Sequence, residues 1–205
     1  MKTIIVDYGM GNLRSIKKKL EIINIKARIS SDKNEINTAD RLILPGVGHF
    51  AKGIANLKKR DLAIVLRYNV IKRKKPILGI CLGMQLFSEF SEEGNTKGLG
   101  WLHSKVVKFN FEGKLNLRVP HVGWNSIHIL KKSILLANIG KGSTFYFTHS
   151  YFMTCSNSKD IVATTNYGKE FTSIVENKNI FGVQFHPEKS RLLGLQLIKN
   201  FLDFS

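Results

Sequence analysis

Residues 1–90 alternate short apolar blocks with longer amphipathic stretches. Thr3-Ile4-Ile5-Val6, Arg41-Leu42-Ile43-Leu44 and Pro76-Ile77-Leu78-Gly79-Ile80 are nearly unbroken apolar runs, the pattern of strands buried on both faces. Lys26–Ser30 is predicted as a further strand. Between these blocks the period becomes that of a helix. From about Asn12 to Ile23, after a turn at Gly9 and Gly11, Leu13, Ile16, Leu20 and Ile23 share one face. A long helix is predicted from about Phe50 to Lys74, broken near Arg60-Asp61, and another from Cys81 through about Phe90. Such alternation predicts βαβ units: a parallel sheet with helices on both faces.

Beyond Gly94 the blocks shorten. Val106–Phe109, Asn116–Val119, Ser126–Leu130, Thr144–Thr148, Ile161–Thr165, Ser173–Glu176 and Ile180–Phe185 read as strands with short connections, mostly antiparallel or mixed. A last helix is predicted over about Arg191–Phe204. No repeat, low-complexity tract or linker interrupts the chain, so residues 1–205 are read as one domain. The expected class is α/β, a mainly parallel central sheet flanked by helices, with an additional mixed or antiparallel strand region.

Apolar content of 43% and aromatic content of 10% are ordinary for a globular protein. Charge is not: 32 Lys+Arg against 15 Asp+Glu give +17, which raises nucleic acid or an acidic partner. The distribution argues otherwise. Lysines fall in small groups (Lys17–Lys19, Lys58–Arg60, Lys72–Lys75, Lys131–Lys132) on predicted solvent faces, without an aromatic RNA-binding box or zinc-ligand spacing. Nucleic-acid binding is therefore excluded as the main function. No run approaches the roughly 18 apolar residues of a membrane span. The opening MKTIIVDYGMGN is interrupted at Asp7 and reads as a first strand rather than a leader. Together with only two, widely separated cysteines, this predicts a cytoplasmic protein with reduced thiols. No metal site or cofactor is expected.

Candidate chemistry gathers where predicted strands end. Cys81 follows an apolar strand and lies between Gly79 and Gly83, in GICLGMQ. A core cysteine gains nothing from that frame, but a nucleophile on a sharp strand-to-helix turn needs neighbours without side chains. The amides of the following helix would favour its thiolate. A late strand runs into His186-Pro187-Glu188, where His186 could take the thiol proton and Glu188 orient the imidazole. The turn Pro45-Gly46-Val47-Gly48 could offer backbone N–H groups to an oxyanion. Gln85, one helical turn beyond Cys81, shares its face and could hold a substrate's α-amino or carboxylate group. His149 could line the same cleft, and Cys155, with no glycine frame, reads as structural.

PGVG, GICLGMQ and HPE, in this order, resemble the signatures of the triad-type (class I) glutamine amidotransferases, over nearly the whole chain. Asp7–Leu13, Pro120–Asn125, Tyr146–Tyr151 and Gly182–Ser190 are further similar to the glutaminase subunits of imidazole glycerol phosphate synthases. That resemblance implies the flavodoxin-like fold of the class and hydrolysis of glutamine, with ammonia passed to a (β/α)8 cyclase subunit in a heterodimer. The cyclase forms imidazole glycerol phosphate and AICAR in histidine biosynthesis. It also implies Cys81, His186 and Glu188 as catalytic residues, and an oxyanion hole at Val47, Gly48 and Leu82. Gly46, Gln85, Ser150 and Tyr151 would contact glutamine. Trp124, Tyr146 and Lys189 would lie near the cyclase interface and ammonia exit. The chain departs from the family at Val122, where Met is common, and in its lysine content. Paralogues that supply ammonia for sugar amidation in surface-polysaccharide synthesis keep the same triad, so that partner stays open. A cysteine hydrolase or peptidase, or a non-catalytic binding subunit, are the readings from other classes.

Overall fold

β1 (Thr3–Val6), β2 (Ala27–Ser30), β3 (Arg41–Gly46) and β4 (Ile77–Cys81) pair in parallel, with β1 between β2 and β3, and β4 beyond β3. The computed structural model describes residues 1–111 and 117–204. Alternate residues of these strands enter two cores. Ile5, Ile43, Leu78 and Ile80 pack on one face with Ile16 and Leu20 of α1 (Leu13–Ile22). Ile4, Val6, Leu42, Leu44 and Ile77 pack on the other, with α2 (Lys33–Asn37), α3 (Phe50–Lys59) and α4 (Leu62–Arg67). Burial on both sides explains the unbroken apolar runs.

Side chains start these helices. Asn12 accepts from the Ser15 amide, Asp32 from Glu35, and His49 from Ala51, each satisfying an otherwise orphaned first-turn N–H. The predicted long helix is two helices and a π-turn (Tyr68–Lys72); the break falls at Arg60-Asp61, where Asp61 has φ 55°. α2 was not predicted, because five residues are too few to show a period. β3 runs through Pro45 and Gly46 rather than stopping at Leu44.

The largest correction lies after Cys81. The predicted helix through Phe90 is a single turn, α5 (Leu82–Gln85). The carbonyls just beyond it are taken by the returning chain: Leu99 N–H donates to Leu86, Gly100 to Ser88 and Trp101 to Phe87. The segment continues as β5 (Phe90–Ser91), β6 (Thr96–Lys97) and β7 (Ser104–Lys108).

Two antiparallel layers follow. β8 (His121–Ser126) pairs with β10 (Thr144–His149), β9 (His128–Ile129) lies between them in sequence, and β11 (Tyr151–Cys155) pairs with β7. The predicted strand Asn116–Val119 is not found: Asn116 lies outside the described residues, and Leu117–Val119 are irregular before a cis Val119–Pro120 bond. The predicted Ser126–Leu130 is split, with most pairing made earlier by β8. β11 was not predicted. β12 (Ile161–Asn166), β13 (Glu170–Asn177) and β14 (Ile180–Val183) return to the central sheet, which has the order β2-β1-β3-β4-β14-β13-β12-β9. β14 is parallel to β4, and the strands beyond it are antiparallel. α6 (Arg191–Asp203) closes the first core with Leu197, Ile198 and Phe201.

Candidate active site

The carboxyl ends of β3, β4 and β14 meet at Cys81, where ligands bind in open α/β sheets. Cys81 has φ 53° and ψ −110°, a strained conformation for an L-residue that turns the chain from strand into α5. The glycine frame is what permits it. A side chain on Gly83 would collide with the Leu44 carbonyl of β3. One on Gly79 would come within 2.7 Å of the Met84 backbone and 2.6 Å of the Phe87 ring. Cys81 as a whole is only 6% exposed.

His186 follows β14 and is buried with Glu188; its Nδ1 lies 2.8 Å from Glu188 Oε1. With the carboxylate accepting, Nδ1 carries the proton and Nε2 turns toward the thiol. Nε2 is buried and makes no hydrogen bond of ordinary geometry, but it is coupled to the charge of Cys81. Burial pushes the imidazolium down; attraction to a Cys81 thiolate, then to Glu188, outweighs it and raises His186 to about 10. The arrangement can deprotonate a thiol and hold the resulting ion pair. One turn of helix adds little macrodipole, so the ion pair rests on His186 rather than on α5.

A pocket of about 460 Å³ opens over the sulfur, lined by Val47, Gly48, Leu82, Gln85, Ser150 and Tyr151 among others. The expected oxyanion residues thus share one wall with Cys81. Gly46, expected on the glutamine-binding wall, instead pairs with Cys81 in the sheet and lies behind the pocket, against Leu82 and Gly83. Gln85 is buried, and its amide nitrogen is already engaged, at 2.8 Å to the Tyr151 carbonyl and 3.0 Å to Gln184 Oε1. Only its oxygen is left for a ligand, so it suits an ammonium rather than a carboxylate. Sequence reasoning missed Gln184, although it sits two residues before His186.

His149 does line the pocket, and it differs sharply from His186. Its Nδ1 lies 2.9 Å from the Tyr151 carbonyl and its Nε2 3.2 Å from His121 Nδ1. Burial lowers His149 to about 3 and His121 to about 4. His121 is stacked between Phe147 and Tyr167. Cys155 is half-buried at the end of β11, and burial pushes its thiol up to about 11.

Trp124, Tyr146 and Lys189 are not in this pocket. They form a second cluster: Trp124 and Tyr146 pair across β8 and β10 with ring centroids 6.1 Å apart, and Lys189 Nζ lies 5.4 Å from the Tyr146 ring centre. The Arg191 guanidinium covers Trp124 at 4.8 Å. Tyr146 is nonetheless tied to the site, since its carbonyl accepts from the His186 N–H at 2.9 Å. Exposed Val122, Trp124 and Leu192 leave an apolar surface here.

Among the described residues no helix is long and apolar enough to cross a membrane, and no three His, Cys, Asp or Glu side chains gather as metal ligands. The family profile described as Glutamine amidotransferase class-I matches residues 4–203. An imidazole glycerol phosphate synthase subunit HisH 2 of Methanococcus maripaludis is 48% identical over 198 residues, 97% of each chain. One from Pseudomonas aeruginosa is 42% identical over 98% of each. Among solved structures, a glutamine amidotransferase superposes with TM-score 0.76 at 17% identity, over 98% of this chain and 97% of the other. That last likeness concerns the fold alone.

Proposed function

This chain belongs to the class-I glutamine amidotransferase family, and we propose that it is the glutaminase subunit of an imidazole glycerol phosphate synthase in histidine biosynthesis. The observation that carries the chemistry is the buried Cys81–His186–Glu188 arrangement at the mouth of a pocket. Relatives named as subunits of that synthase support the pathway and a partner subunit. The partner is proposed to be a (β/α)8 cyclase.

The Cys81 thiolate attacks the side-chain amide carbon of glutamine. Amides of Val47, Gly48 and Leu82, residues that line the pocket beside Cys81, would hold the oxyanion. The His186 imidazolium protonates the departing nitrogen, and ammonia leaves. Neutral His186 then takes a proton from water, whose oxygen attacks the thioester; glutamate departs, and thiolate and imidazolium are restored. Glu188 keeps the proton on Nδ1 and supports the charged ring. Ser150, Tyr151 and the Gln85 oxygen hold the glutamine backbone. Trp124, Tyr146 and Lys189 form the docking face and ammonia exit.

Hydrolysis without a partner would waste ammonia, so the isolated subunit should be nearly silent. Glycines flank Val47, and Gly48 already has φ 104°, so a peptide in this turn can reverse at little steric cost. One donor turned away costs roughly 2.7–4 kcal/mol of barrier, or 10²–10³ in rate. Glutaminase assays of the subunit alone, with the cyclase, and with cyclase plus its ligand test this. Stimulation of about 10² or more is expected. Full activity of the isolated subunit contradicts it, as does stimulation that survives alanine at Trp124, Tyr146 and Lys189.

A further inference from the structure

The register of β14 on β4 matches Val183 with Ile80, so the next residues of the two strands, Gln184 and Cys81, end side by side. Gln184 is fully buried, and its Nε2 donates to Cys81 Sγ at 3.6 Å. Its orientation is not free. Gln184 Oε1 accepts from Gln85 Nε2 at 3.0 Å, and that same nitrogen donates to the Tyr151 carbonyl at 2.8 Å. Turning Gln85 over would set its oxygen against the Tyr151 carbonyl, and turning Gln184 over would set its N–H groups against those of Gln85. The Tyr151 carbonyl also takes the Nδ1–H of His149, whose Nε2 accepts from His121. Every donor in the chain is thereby assigned, and the end at the sulfur is an N–H.

We infer that Gln184 is a positioning residue for the nucleophile: its amide donates a fixed hydrogen bond that favours the thiolate and ties the sulfur to the Gln85–Tyr151 wall of the glutamine pocket. This rests on the reading of Cys81 as the nucleophile of a glutaminase. The physical need is specific. His186 must give its proton to the leaving nitrogen, and while that proton is away the amide still holds the sulfur. A buried carboxamide is expensive to keep for packing alone, since its N–H and C=O groups must all be matched.

The test uses the complex with its synthase partner, in a Cys155→Ser background so that one thiol is read. The rate of Cys81 alkylation by iodoacetamide is followed against pH, beside glutaminase kcat and KM and ammonium-dependent synthesis. The other titratable groups around the sulfur are His186 with Glu188, Tyr8, His149, and His49 and Glu93 at the pocket; all are unchanged in every variant. Gln184→Glu should move the alkylation midpoint to higher pH. It should lower kcat about 10- to 100-fold, as for loss of a hydrogen bond to a charged group, while ammonium-dependent synthesis persists. Gln184→Met, which removes the donor without adding charge, should shift the midpoint in the same direction by less. If Gln184→Glu does not fold, Gln184→Met decides. An unchanged midpoint in a folded variant, or a loss confined to KM, overturns the inference. A wild-type complex without glutaminase activity would instead fail the functional reading, and the alkylation comparison would still decide the role of Gln184.

Discussion

Two buried histidines flank one pocket and are driven in opposite directions. His186, 1% exposed after β14, is raised to about 10; His149, 7% exposed at the end of β10, is lowered to about 3. Burial opposes charge at both. The difference lies in what each ring meets: His186 has a carboxylate on one nitrogen and the Cys81 sulfur near the other, whereas His149 has only a backbone carbonyl and a neutral imidazole. An anionic partner turns a buried histidine into a proton carrier; its absence leaves a neutral fixture. Residue type and burial alone would have assigned these two the same role.

Exchange of function between them should therefore fail. His186→Ala is expected to lower glutaminase kcat in the complex by about 10³ or more, the scale of losing a triad member. Glu188→Gln should cost less, because an orienting group assists the proton carrier without replacing it. Steady-state assays check both, and a greater loss in Glu188→Gln would reverse the assigned roles. His149→Gln should cost less again, about tenfold or below and more in KM than in kcat, since it acts through the Tyr151 carbonyl on the pocket wall. A loss matching His186→Ala would erase the distinction.

The comparison also has a consequence for stability. His149 and His121 titrate near 6.5 when unfolded but at about 3 and about 4 when folded. Below 6.5 the unfolded chain binds protons that the folded chain refuses, so stability is fully present above that pH. It is lost progressively as pH falls toward the folded values, by several kcal/mol in total. Denaturant unfolding at pH 7 and pH 4.5 measures it, and His149→Gln should flatten the slope. An equal slope in both proteins would mean that His149 is not buried neutral.

Much of this was legible in the sequence where one cause dominates. The parallel strands of residues 1–90 are buried on both faces, and their apolar runs stood out. Cys81 was legible through its glycines, which the crossing of β3, β4 and α5 requires. The length of α5 was not, because the carbonyls of Leu86–Ser88 that follow it are claimed by Leu99–Trp101, a tertiary effect without local pattern. Gln184 was missed for a similar reason: its importance comes from strand register, which sets it beside Cys81 across a long stretch of chain. Gln85 does line the pocket, but its amide nitrogen is engaged internally, which no local pattern shows. β8 escaped notice because a half-exposed strand such as His121–Ser126 carries few apolar residues; β11 directly follows β10 with only Ser150 between them, so no turn signal separates the two.

The central claim is that glutamine is cleaved at Cys81 and that synthesis itself proceeds elsewhere. Replacing Cys81 by alanine in the complex with the synthase partner, and comparing turnover on glutamine with turnover on ammonium salt, tests it most directly. Glutamine-dependent synthesis should vanish while ammonium-dependent synthesis stays near the wild-type rate. Persistence of the glutamine-dependent reaction, or loss of both, would contradict the account.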